Sequence, residues 1–157
     1  MSMQRTLILI KPDGIQRGLV GEITHRFERK GLKLIGMKMM SLSEAVLKDH
    51  YSHIADKPFY PGVESFMMSS PVVAMCVEGY EVVDAVRLIV GITKAREAEA
   101  GSIRGDFAMS MSCNVIHASD SEESAKAEVS RFFEEGELFH YNKGEYVHVY
   151  NDEELDQ

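Results

Sequence analysis

Four short apolar runs constrain the fold more than any other feature: "TLILI" (6–10), "LKLIGMKMMSL" (32–42), "PVVAMCVEG" (71–79) and "MSMSCNVIH" (109–117). Each has strand length and aliphatic or β-branched content, while the text between them has helical spacing. "LVGEITHRFERKG" (19–31) sets Val20, Ile23 and Phe27 on one face and ends at Gly31, a residue suited to a helix C-terminus. "YEVVDAVRLIVG" (80–91) does the same with Val82, Val83, Val86, Ile89 and Val90. "SEAVLKDHYSHI" and "YPGVESFMM" read as two shorter helices. "SDSEESAKAEVSRFF" reads as a last helix, opened by a Ser119/Glu122 or an Asp120/Glu123 capping box. The order β-α-β-(αα)-β-α-β-α predicts an α+β chain of the ferredoxin-like, split βαβ kind, a four-stranded antiparallel sheet covered by helices. A flavodoxin-like parallel sheet is the alternative, and two long excursions among four strands suit it less well. Residues 91–111 form a long connection, which in a compact domain is usually functional or disordered.

A length of 157 residues fits one domain with its own core. No apolar run approaches the about 20 residues that span a bilayer, and the N-terminus lacks a cleavage pattern of small residues. A cytoplasmic protein away from the membrane is therefore expected. Cys76 and Cys113 each sit in an apolar run without C-x-x-C spacing, so they read as reduced core thiols. The ten methionines read as core filling. A net charge of −8 argues against a broad nucleic-acid footprint, yet a local cluster of cations can still hold a small phosphorylated ligand. Lys11, Arg87 and Arg104 each lie near the end of a core element, where loops gather and sites form. Neither a P-loop nor G-x-G-x-x-G follows the first strand, so any nucleotide must be held in another way.

In "CNVIHASDS" (113–121), His117 ends an apolar run and directly precedes a capped helix. Backbone N–H groups at a helix start attract anions, and Ser119 adds a hydroxyl. No cysteine or second histidine stands at metal-ligand spacing, so no metal site is expected. Glu128 sits at the edge of the face formed by Ala125, Val129, Phe132 and Phe133; it could orient the imidazole or be a solvated helix glutamate. His25, His50, His53, His140 and His148 show no local signature.

These residues together resemble the nucleoside diphosphate kinase family. The carrying motif is Asn114-Val115-Ile116-His117-Ala118-Ser119-Asp120-Ser121, supported in order by "IKPDGIQRGLVGEI", "HYSHIADKPFYPGVESFM", "SSPVVAM" and "GSIRGDF". The likeness runs over about residues 3–150. It implies one kinase domain over 1–150, with "NDEELDQ" (151–157) as an acidic, solvated or disordered tail. It also implies ping-pong transfer of the γ-phosphoryl group of a nucleoside triphosphate, typically ATP, to a nucleoside diphosphate. In that scheme His117 is the phosphorylated nucleophile, supported by Ser119 and Glu128. Lys11, Tyr51, Arg87, Thr93, Arg104 and Asn114 contact phosphates or ribose, and Phe59 stacks on the base, giving low base selectivity. Mg²⁺ enters mainly through the nucleotide phosphates. The resemblance implies a homo-oligomer, a hexamer with a tetramer or dimer as alternatives, and no specific nucleic-acid partner.

The chain departs from the family at Ala95 and Ala100, where prolines are usual. Proline restricts the unfolded loop, so the change bears on assembly and stability more than on chemistry. Two other classes compete. An RNA-binding module would carry aromatic and basic residues on its central strands, which "TLILI" and "SCNVI" lack. A histidine phosphocarrier would need neither Phe59 nor the Lys11, Arg87 and Arg104 set.

Overall fold

The computed structural model describes residues 2–156. β1 (Met3–Ile10), β2 (Lys33–Met40), β3 (Val72–Tyr80) and β4 (Ile116–Ala118) form one sheet in the order β2-β3-β1-β4. Every pairing is antiparallel, as expected of the ferredoxin-like fold. The helices are α1 (Pro12–Gln16), α2 (Val20–Arg29), α3 (Glu44–His50), α4 (Tyr60–Met68), α5 (Val82–Val90), α6 (Ile103–Phe107), α7 (Glu122–Phe132) and α8 (Asp152–Leu155).

Side chains alternate across a strand, so β1 feeds two cores. Ile8 and Ile10 join Val73, Met75 and Val77 of β3 under α2 and α5. Leu7 and Leu9 join Val72, Ala74 and Cys76 on the other side, with Leu47 of α3, Met67 of α4 and Phe132 of α7. Both faces are dry, which is why "TLILI" and "VVAMCV" are continuous apolar runs rather than the apolar/polar alternation of a half-wet antiparallel sheet.

Several boundaries differ from the sequence expectation. The predicted fourth strand over 109–117 shrinks to Ile116–Ala118. Upstream, the Ser110 hydroxyl accepts the N–H groups of Ser112 and Cys113, and Val115 has a positive φ, so the chain cannot continue a ladder there. Cys113 is consequently exposed, not a core thiol, whereas Cys76 is buried and burial pushes its thiol up to about 12. The cap of α7 is Ser121, whose hydroxyl accepts from Ser124 N–H at 3.1 Å, because the backbone of Ser119 is occupied in pairing with Leu7. The 91–111 connection is structured by a 3₁₀ turn at Ala95–Glu97 and by α6, whose Ser102 cap accepts from Gly105 N–H. "KPDG" opens α1 rather than a plain turn. In the tail, Asn151 and Glu154 form a capping box for the single turn of α8.

Candidate active site

The neighbours of His117 on β4, Ile116 and Ala118, enter the α2/α5 core, so its imidazole emerges on the opposite face. Register fixes it beside Leu9 of β1. There α7 supplies Glu128, and His117 Nε2 lies 2.6 Å from Glu128 Oε1. Burial alone would raise the Glu128 carboxyl, but the His117 ring and the Ser119 hydroxyl hold it below the usual carboxylate range. An ionised carboxylate can only accept, so Nε2 carries a proton, and in the neutral ring Nδ1 is then the nitrogen with the free lone pair. Ser119 is fully buried behind this pair, its Oγ accepting from Leu7 N–H at 3.3 Å.

His50, at the end of α3, stacks edge-on against His117 with ring centroids 4.7 Å apart. Its Nδ1 is 3.6 Å from Glu128 Oε1, but burial, with the nearby His117, pushes its imidazole down to about 3; it is neutral there and forms no ion pair. Arg131 donates to His50 Nδ1 at 3.1 Å and to Asp49 at 2.6 Å.

Opposite His117 lies a cluster of cations. Lys11 Nζ, just past β1, donates to Asn114 Oδ1 at 2.7 Å. Burial and the neighbouring Arg104 pull its ammonium down to about 8, against the opposing charges of Asp13 and Cys113. Arg104, on α6, is only 6% exposed, and desolvation with Arg87 nearby lowers it to about 10. Its guanidinium donates to Gly91 O at 2.9 Å, Ile116 O at 2.6 Å and Asn114 O at 3.4 Å. A guanidinium has five N–H groups, so two remain for a ligand.

A cavity of about 1000 Å³ opens over these groups, and nine of the ten expected site residues line it, Ser119 being the one behind its wall. Arg87 reaches in from the last turn of α5 and Thr93 from the segment after it. The Thr93 carbonyl accepts from Asn114 Nδ2 at 3.4 Å. Tyr51 is half-buried, and burial with Glu128 raises its phenol to about 12. Phe59, at the mouth just before α4, is 58% exposed and offers a free ring face. Sequence reasoning missed His50, Asp13 and Arg131. The packing of α3 and α7 brings His50 and Arg131 to the cavity wall, and Asp13 of α1 reaches the Val115 N–H beside it.

The arrangement combines an oriented imidazole with converging cations, a setting in which a nucleophile can attack a phosphate. Among the described residues, His50, His117 and Glu128 have ligand atoms within 4.8 Å of one another. This donor set is nitrogen-rich, whereas Mg²⁺ demands oxygen ligands, so these three residues do not suit a Mg²⁺ cage.

The sequence profile of the nucleoside diphosphate kinase family matches residues 4–138. The chain is 54% identical to a nucleoside diphosphate kinase of Staphylococcus haemolyticus over 139 residues, covering 88% of this chain and 93% of that one. It is 50% identical to one of Gallus gallus over 147 residues, covering 94% and 96%. The structure of a halophilic nucleoside diphosphate kinase from Halobacterium salinarum in complex with CDP superposes with a TM-score of 0.93 at 41% identity, covering 96% of this chain and 100% of that one. A family protein from Babesia bovis gives a TM-score of 0.91 at 41% identity, covering 94% and 99%. With the profile spanning most of its length and relatives at about half identity across nearly the whole chain, this protein belongs to the nucleoside diphosphate kinase family of phosphotransferases.

Proposed function

We propose that the protein moves the γ-phosphoryl group of a nucleoside triphosphate, typically ATP, to a nucleoside diphosphate through a phosphohistidine on His117. The observation that carries this reading is the His117 Nε2 to Glu128 contact of 2.6 Å, which leaves Nδ1 as the attacking atom. The Nδ1 lone pair forms the N–P bond while the bond from the γ-phosphorus to the bridging oxygen breaks, and the diphosphate leaves with that electron pair. The ring becomes cationic at this moment, and the Glu128 carboxylate stabilises it. A second diphosphate then attacks phosphorus with a terminal oxygen, and the N–P electrons return to Nδ1. Because each half-reaction reverses the other, one site serves donor and acceptor in turn.

Lys11, Arg87 and Arg104 neutralise phosphate charge, Tyr51, Thr93 and Asn114 place phosphates and ribose, and Phe59 stacks on the base. A ring face reads no hydrogen-bonding edge, which supports low base selectivity. CDP bound to the halobacterial relative supports a diphosphate ligand. A Mg²⁺ bound with the nucleotide would add charge neutralisation to that of Lys11, Arg87 and Arg104. We further read the protein as a cytoplasmic homo-oligomer, a hexamer by family likeness, with residues 1–150 as the kinase domain. Among the described residues no helix is long and apolar enough to cross a membrane.

The half-reaction tests the mechanism. With Mg²⁺ and γ-labelled ATP and no acceptor, we expect acid-labile label on the protein, chased into GTP when GDP is added. No label would return the protein to the binding-module class, and label that GDP cannot remove would favour a phosphocarrier.

Lys11 sets the alkaline limit. A lysine held near 8 is charged below that pH and neutral above it, so its pull on phosphate is present below about 8 and lost as pH rises. The expected kcat/KM for ATP falls about tenfold per pH unit above that point, and Lys11→Met removes this limb. A profile for the wild type that stays flat to about pH 10 would show that deprotonation of Lys11 does not set an alkaline limit.

A further inference from the structure

Val115, two residues before His117, has a φ of 74°. A β-branched residue avoids this region because its Cβ crowds the backbone, and such a conformation persists only where the surroundings over-determine it. Ile116 N–H donates to Asn114 O at 2.8 Å, which closes a three-residue γ-turn about Val115.

The surroundings that hold this turn come from "KPDG", far away in the chain. Asp13 Oδ2 accepts from Val115 N–H at 3.0 Å, and Lys11 N–H donates to Val115 O at 2.8 Å. Both backbone polar groups of Val115 are therefore gripped by one short segment. Gly14 lets that segment approach: a Cβ there would stand 2.7 Å from Ile10 Cγ2 and 3.2 Å from Val115 O. The turn sets the residue on each side of it. Asn114 holds Lys11 Nζ at 2.7 Å, and Ile116 leads directly to the imidazole.

We propose that Asp13 is a positioning residue, its carboxylate holding the strained Val115 turn and thereby the placement of Asn114 and His117. The proposal rests on reading His117 as the phosphoryl acceptor. It differs from a purely electrostatic role, in which the Asp13 charge acts on the Lys11 ammonium.

Single-turnover labelling with saturating γ-labelled ATP separates the two roles, with thermal unfolding confirming that each variant is folded. Asp13→Ala should label about 10- to 100-fold more slowly. Asp13→Asn should stay within about threefold of wild type, because its amide oxygen accepts the same N–H. Glycine takes a positive φ freely, so in a Val115→Gly background Asp13→Ala should cost less than about threefold. Hydrogen exchange at the Val115 amide gives a readout without catalysis, and it should speed by about tenfold or more in Asp13→Ala.

Wild-type labelling rates in Asp13→Ala would overturn the proposal. So would an Asp13→Asn variant as slow as Asp13→Ala, which would point to charge on Lys11, or an equal cost of Asp13→Ala with and without Val115→Gly. If Asp13→Ala fails to fold, Asp13→Asn and its pairing with Val115→Gly decide the same question. Absence of label on the wild type would overturn the reading of His117 alone, and unchanged protection of the Val115 amide would overturn the clamp alone.

Discussion

Replacing His117 by alanine should lower phosphoryl transfer by about 10⁴-fold or more while the chain stays folded, since it removes the imidazole that Glu128 orients in the cavity wall. His50 cannot substitute, because its Nδ1 is already engaged by Arg131. The backbone at position 117 pairs with Leu9 whatever its side chain, so the sheet survives. Glu128, however, loses the N–H it accepts while remaining buried, which costs about 1–3 kcal/mol. Steady-state turnover and thermal unfolding on the same preparation check both parts. Turnover near the wild-type rate would end the phosphohistidine mechanism, and an unchanged melting temperature would mean the His117–Glu128 contact contributes nothing to stability.

Arg104→Ala should act on two levels, because the guanidinium bonds three backbone carbonyls as well as facing the cavity. Loss of a phosphate-facing cation should lower kcat/KM for ATP and GDP by about 10²- to 10³-fold. Loss of charged donors to buried carbonyls should cost about 2–4 kcal/mol of stability, seen as a lower urea midpoint. Arg104→Lys separates the levels, since an ammonium keeps the charge but cannot span the carbonyls of Gly91, Asn114 and Ile116. A lysine variant as stable as wild type would show that the carbonyl contacts are dispensable. An alanine variant with unchanged kcat/KM would remove Arg104 from nucleotide recognition.

Periodicity made the strands and long helices legible, because Val82, Val86 and Val90 or Ile8 and Ile10 are placed by burial, and burial repeats with the element. It failed at 109–115, where the text is as apolar as a strand but backbone bonding to Ser110 and the Val115 turn decide the conformation. The same turn explains Cys113, apolar in context and exposed in fact. The cations near element ends were readable as a set, but the second use of Arg104 was not, since carbonyl partners leave no mark in sequence. His50 carried no signature because its environment is made by residues about 80 positions away, in α7. Ala95 is buried against the α2/α5 core at the start of a 3₁₀ turn, so its methyl group has a packing role that loop text alone does not reveal.

β1 has consequences for how the chain emerges during synthesis. It is the first strand made, yet it lies inside the sheet, and both neighbours, β3 and β4, come much later. "TLILI" must therefore wait, unpaired and uncharged, until β3 is complete at Tyr80. Such a segment has the makeup of an aggregation-prone run, and pairing that spans most of the chain is slow to form. The strand that pairs with His117 is thus also the part of the nascent chain with the greatest need of protection, and α2, formed locally from the next residues, is the first native cover available to it.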